Sequence, residues 1–153
     1  MLFRSFSFKN LRLDLFWQGI AGSDKLMTGA IMEHGIWGGF THAIYTDYWT
    51  PENKDANYPR PTKYSMKNAQ ISDFWMVDGS YLRLKNVKLS YDIPQRVCDL
   101  INVRNINMFL SATNLLTFSK LNKYSIDAEM EGRSQESSFP QTSVTTLGLN
   151  INF

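Results

Sequence analysis

The chain is poor in the residues that build covalent or metal-held folds. It has one cysteine, Cys98, in 153 residues, which excludes an internal disulfide and gives no metal-ligand spacing. Its two histidines, His34 and His42, have no partner cysteine and no ligand spacing. Net charge is only +2, with 20% charged residues, so the electrostatic footprint of a nucleic-acid binder is missing. No apolar run approaches the ~18 residues that a membrane helix needs. The first residues, MLFRSFSFKN, lack the continuous apolar stretch and small-residue cleavage site of a secretory signal. No HExxH, phosphate-cradling glycine loop or nucleophile elbow occurs, which argues against an enzyme and implies no cofactor. These absences suit a soluble protein. They suit a membrane β-barrel equally well, because its lumen-facing polar residues break up every apolar run.

What is present is aromatic side chains, at 14%, and a period of two. In NINMFLSATNLLTF the even positions Ile106, Met108, Leu110, Ala112, Leu116 and Phe118 are apolar, with Asn114 the polar exception. The odd positions are polar except Phe109 and Leu115. The closing TTLGLNINF alternates throughout, Leu147, Leu149, Ile151 and Phe153 against Thr146, Gly148, Asn150 and Asn152. Near the start, Phe6 and Phe8 are even while Leu11, Leu13, Leu15 and Trp17 are odd. A two-residue turn at Lys9-Asn10 explains the change of phase, since Asn tolerates positive φ. In FWMVDGSYLRLKNVKLSYDIP, Val87, Leu89, Tyr91 and Ile93 oppose Leu82 and Leu84 in parity, predicting a bulge near Lys85-Asn86 or a switch of exposed face. Residues 94–102 form a short connector with room for one helical turn.

The expected order is five strands: up to 8, 11–21, 74–92, 103–118 and 142–153, with long loops over 22–73 and 119–141. Short and long connections alternate, which is the signature of an outer-membrane barrel with short periplasmic turns and long outer loops. A structureless loop of that length would count against a compact soluble domain. The fold class is therefore all-β, antiparallel, with transmembrane barrel strands.

Four stretches resemble the SusC/RagA family of TonB-linked outer-membrane transporters. They are DLFWQGIAG (14–22), YWTPENKDANYPRP (48–61), DGSYLRLKNVKLSYDIP (78–94) and INMFLSATNLLTFSK (106–120). The resemblance singles out Trp49, Pro51, Asn53, Tyr58 and Pro59, then Tyr81, Arg83, Leu84, Asn86, Tyr91 and Pro94, then Asn114, as structural motif residues. The last strand also resembles the signal read by the barrel-assembly machinery, with Thr146, Gly148, Ile151 and Phe153 in its positions. The family has an N-terminal plug and a barrel of about 22 strands, so the resemblance implies the C-terminal portion of such a barrel, with the plug absent. The expectation is a fragment whose genuine end is Phe153 and whose Met1 is an internal start.

The implied function is uptake of an oligosaccharide or peptide across the bacterial outer membrane. The implied partners are a SusD-like surface lipoprotein, the TonB complex, the barrel-assembly machinery and outer-membrane lipid, with no nucleic acid. Trp37, Tyr45 and Tyr48 in the 22–73 loop can touch substrate or a lid protein; aromatics in such a loop can equally pack on one another. Asp127, Glu129 and Glu131 are expected to be a solvated acidic loop, with Ca²⁺ as the sharper possibility. Trp17, Tyr91, Phe118 and Phe153 sit near strand ends, where aromatic girdles form. The alternative is a soluble all-β carbohydrate-binding module, and the discriminator is which face of the sheet is apolar.

Overall fold

The structure, a computed structural model, describes residues 1–27, 42–62, 67–130 and 141–153. Its strands are β1 (Leu2–Phe8), β2 (Leu11–Ile20), β3 (Asp24–Leu26), β4 (Met76–Asp78), β5 (Tyr81–Asp92), β6 (Asn105–Ser119) and β7 (Val144–Asn152), with short helices α1 (His42–Thr46) and α2 (Gln95–Leu100). The chain divides into two compact units: Met1–Gly19, Leu82–Phe118 and Gln141–Phe153 in one, Ile20–Tyr81 and Ser119–Pro140 in the other.

The first unit carries the five-stranded sheet, in the order β1-β2-β5-β6-β7. β1 runs antiparallel to β2 and β6 to β7. The Asp92 N–H donates to the Asn10 carbonyl at 2.9 Å and the Ile93 N–H to the Ile106 carbonyl at 2.9 Å. The end of β5 thus lies beside the starts of β2 and β6, and the whole sheet is an up-and-down antiparallel meander, open at both edges. At roughly 3.3 Å per residue, the 15 residues of β6 exceed the ~30 Å of bilayer hydrocarbon.

Register sorts the side chains of this sheet into two faces. Phe8 pairs with Leu11, Phe6 with Leu13 and Leu2 with Trp17; Met108 pairs with Leu149, Leu110 with Leu147 and Ile106 with Ile151. Phe8, Leu11 and Tyr91 line one shallow groove, which brings Val87 and Leu89 to the same face by alternation. Arg4, opposite Leu15, is a charged exception, and alternation gives Lys85 the parity of Val87. The other face carries Ser5 with Asp14, Ser7 with Arg12, Asn107 with Asn150 and Ser111 with Thr146. Ser5 donates to Asp14 at 2.6 Å, and Arg12 Nε reaches both Asp14 oxygens at 3.0 Å. Asn107 donates to Asp92 at 2.7 Å. The apolar face is left uncovered, with Leu147 76% and Phe8 72% exposed. The hydrophobic core cluster contains none of its residues.

Three local features differ from what periodicity predicts. The positive φ of the first turn falls on Lys9 (50°), the first central position of a II′-like turn. Asn10 is instead held by its side chain, which donates to the Asp92 carbonyl at 2.8 Å. Lys85-Asn86 carries no left-handed residue, which a bulge does not require; the left-handed residue lies in the neighbouring strand, at Asn114 (φ 51°). The left-handed φ at Asn114 thus interrupts the regular alternation of β6. The Asn114 amide donates to Thr142 O at 3.1 Å and Gln141 Oε1 at 3.3 Å, and Ser143 Oγ donates to its carbonyl at 2.7 Å. Asn114→Ala is expected to cost about 1–2 kcal/mol, because alanine loses both the αL tolerance and the side-chain bonds. Asn114→Gly, which keeps the backbone tolerance, should cost less. Urea unfolding in lipid vesicles checks the order.

The third difference is that the expected 74–92 strand breaks at Gly79-Ser80. The piece before the break, β4, pairs with β3 in a separate antiparallel sheet. Gly79 N–H donates to Ser23 O at 2.7 Å, and a Cβ there would lie 3.1 Å from Lys25 Cβ. The connector contains α2, closed by Asn102 at φ 57°, with the Val103 N–H on Cys98 O at 3.1 Å. Cys98 itself is fully buried there, which suits a small apolar filler.

The second unit has its own hydrophobic core, built from Met27, Ile44, Tyr58, Trp75, Tyr81, Leu121, Ile126 and Ala128. The 22–73 segment thus contributes folded structure: β3, α1, two 3-10 turns (Lys67–Ala69 and Asp73–Trp75) and a parallel bridge between Tyr48 and Tyr58.

Candidate functional site

The Tyr48–Pro59 segment is held by its own polar groups. Trp49 N–H donates to Tyr58 O at 2.9 Å and Tyr58 N–H to Asp47 O at 3.2 Å. Asn53 N–H donates to Thr50 Oγ1 at 3.0 Å and its amide to Tyr48 O at 3.4 Å. Asn57 Nδ2 donates to Asp47 at 2.5 Å, and that bond is the main reason the half-buried Asp47 carboxyl titrates below its usual range. Asn53 and Tyr58 are thus brought together as a loop clasp. Pro51 is exposed and Pro59 half-buried at its ends. Tyr48 packs against the core, Tyr45 is 64% exposed and Trp49 38% exposed. Trp37 lies outside the described residues, as do His34, Phe40, Tyr64 and Glu131; of His42 only the backbone is described.

A 3-10 turn, Lys120–Tyr124, follows β6. Ser119 caps it by accepting the Leu121 N–H at 3.2 Å, and fully buried Leu121 anchors it in the core. Tyr58 hydroxyl donates to Tyr124 hydroxyl at 3.0 Å, with the two rings edge-on. Burial first, and then the hydrogen bond shared with Tyr58, raises the Tyr124 hydroxyl above its ordinary value. Lys120 pairs with Asp78 at 3.1 Å. Asp78 also accepts the Ser80 N–H at 2.9 Å. Ser80 first, and Lys120 after it, hold the Asp78 carboxyl at about 2 against an ordinary 3.8.

A depressed carboxylate contributes above its unfolded value and is lost as pH falls through its folded one. The Asp78 contact should therefore loosen only between about pH 4 and pH 2. Carboxyl NMR titration is expected to find its midpoint near 2, and Ser80→Ala should raise it more than Lys120→Gln does.

The second loop departs from the solvated acidic reading. Asp127 is buried because its carboxylate accepts the Glu129 N–H at 2.9 Å and its carbonyl the Met130 N–H at 3.2 Å. The carbonyls of this turn do take a cation, the Lys25 ammonium, on Ala128 O at 3.2 Å and on Met130 O. Among the described residues no group of three His, Cys, Asp or Glu is placed to hold a metal.

The motif residues of 78–94 separate in role. Tyr81 belongs to the core of the second unit. Within the sheet unit, Arg83 is 3% exposed, with Nε on Thr117 Oγ1 at 2.8 Å, and Leu84 is buried. Asn86 shares a polar-face groove with Phe3, Asp14, Phe16 and Lys88. Tyr91 lies on the apolar face, and Pro94 precedes α2. Ile151 pairs with Ile106 and Thr146 with Ser111, while Phe153 lies just past β7 and is exposed.

Gly148 faces Phe109 across the ladder, and a Cβ at Gly148 would collide with the ring of Phe109. Lys88 Nζ lies 4.6 Å from the centroid of the same ring. Phe109 and Lys88 were not among the sequence-derived candidates; the signal available was Phe109 breaking the polar alternation of β6.

No known family model matches the chain. Over 96% of its length it is 31% identical to TonB-dependent receptor P26 of Formosa agariphila, and over 95% it is 26% identical to TonB-dependent receptor P3 of the same organism. It spans only 16% and 15% of those relatives. In fold it is similar to a chain of the RagAB peptide importer in the closed-closed state, with TM-score 0.67 and 26% identity. In the open-open state the values are 0.65 and 24%. Each comparison covers 96% of this chain and 16% of the solved one. Sequence relatives and fold agree with the four motifs: over nearly its whole length the chain is similar to a part of TonB-dependent receptors, and in fold to a part of the RagAB importer.

Proposed function

We propose that this chain forms wall strands and extracellular loops of an outer-membrane importer of peptides or oligosaccharides. The observation that carries this reading is the uncovered apolar face of a sheet whose opposite face is polar. Each large apolar side chain left in water forgoes about 1.5–3 kcal/mol, and a soluble module would turn these residues inward. In a bilayer the same face meets lipid and the polar face meets the lumen. The open edges at β1 and β7 then need strand neighbours, because unpaired backbone groups cost several kcal/mol each in hydrocarbon.

A SusD-like lipoprotein is the proposed partner over the loops, with peptide as one ligand class; the similarity to a peptide importer supports the ligand class. Energy would come from the TonB complex through a plug that these residues do not supply, and insertion would use the barrel-assembly machinery. The role is transport, with no enzymatic step. Labelled peptide or oligosaccharide should enter only cells that also supply a plug-bearing barrel. Uptake by cells given these 153 residues alone would contradict the proposal.

A further inference from the structure

We infer that the groove between β4 and the Lys120–Tyr124 turn binds a ligand that carries a carboxylate on an apolar body. The groove has a volume of about 490 Å³, with Val77 and Asp78 on one wall and Ser119, Lys120, Lys123 and Tyr124 on the other. Its accessible lining is mostly apolar and offers a ligand body hydrophobic contact, with the polar groups of Asp78, Ser119, Lys120, Lys123 and Tyr124 around it.

The cations on this groove are not equivalent. Lys120 is neutralised by Asp78 at 3.1 Å. Lys123 stands over the faces of Tyr58 and Tyr124, 5.5 and 5.7 Å from their centroids. Among the described residues it makes no ion pair. Asp47 lies within electrostatic range of Lys123, but its two oxygens are engaged by Asn57. Ring faces stabilise an ammonium without using up its N–H donors, so Lys123 keeps hydrogen-bonding capacity for an anion. The Tyr58 and Tyr124 hydroxyls share one hydrogen bond at 3.0 Å, which uses one of their two protons and leaves the other to donate, since phenols are protonated at neutral pH. An ammonium that makes no ion pair among the described residues, beside a phenol donor, is a pair suited to a carboxylate, whether a peptide C-terminus or a uronate.

The import reading gives this site its meaning, but the site is tested by binding alone. Calorimetry on the full chain in detergent would compare N-acetylphenylalanine with its amide, and a uronic acid disaccharide with its neutral counterpart. At least one carboxylate should bind about tenfold more tightly than its neutral partner, the scale of one charged hydrogen bond. Lys123→Gln should abolish that preference; Lys9→Gln, on the first turn of the sheet, should leave it intact. Which carboxylate is preferred identifies the source.

A second readout uses outer-membrane preparations, where the preferred carboxylate and not its neutral partner should protect Lys123 from acylation. Equal binding and equal protection by charged and neutral ligands, or a preference that survives Lys123→Gln, would overturn the site. A preserved preference without uptake would sink import alone.

Discussion

Leu110→Arg is expected to cost about 2–4 kcal/mol of folding stability in a bilayer, the depth-dependent penalty for a cation on the lipid face near the midplane. Ser111→Arg, one residue along the same strand, should cost less than about 1 kcal/mol, because it enters the polar face. Leu110 pairs with Leu147 and Ser111 with Thr146, so each substitution samples a pair of known register. Such a contrast between adjacent residues cannot come from strand propensity, which both share. It arises only if alternation maps onto two solvents. Urea titration of the chain folded into lipid vesicles, followed by tryptophan fluorescence, reads both values. Equal costs at the two positions would remove the lipid assignment.

Gly148→Ala should be damaging for a different reason. The new methyl would occupy the space of the Phe109 ring, and overpacking of this kind costs about 1–3 kcal/mol. Glycine and ring face each other in the β6–β7 ladder, with Lys88 above the ring. Phe109→Ala alone should be milder, and the double variant Gly148→Ala/Phe109→Ala should recover most of the loss. A double-mutant cycle of unfolding energies gives the coupling. This also separates two roles for the glycine of the closing pattern. If the assembly machinery reads Gly148 itself, removing Phe109 will not restore insertion. If Gly148 is a slot for the ring, it will.

The strands were legible because a two-sided environment forces period two on the sequence: β1, β2 and β7 lie within the ranges that alternation indicates, and β6 runs one residue past its range. Features fixed by tertiary hydrogen bonds were not legible. The left-handed Asn114 looks, in sequence, like one polar residue on the wrong parity; its reason is the 141–143 segment, distant in the chain. The break at Gly79-Ser80 depends on Ser23. Burial of Asp127 depends on a turn it caps itself. The loop clasp was visible only as motif residues, since nothing in YWTPENKDANYP says that Asp47 and Asn57 will meet. Lys123 and Tyr124 carried no periodic signal, because a single 3-10 turn is too short to have one.

The most direct test of the membrane assignment is nitroxide accessibility along β7. Single cysteines at positions 145–151, in a chain with Cys98 replaced, would be labelled after folding into lipid vesicles. Labels at 147, 149 and 151 are predicted to collide with dissolved oxygen, which concentrates in lipid, and labels at 146 and 150 with a water-soluble relaxant. Alternation of the opposite phase, or a flat profile accessible to the aqueous reagent throughout, would contradict the account.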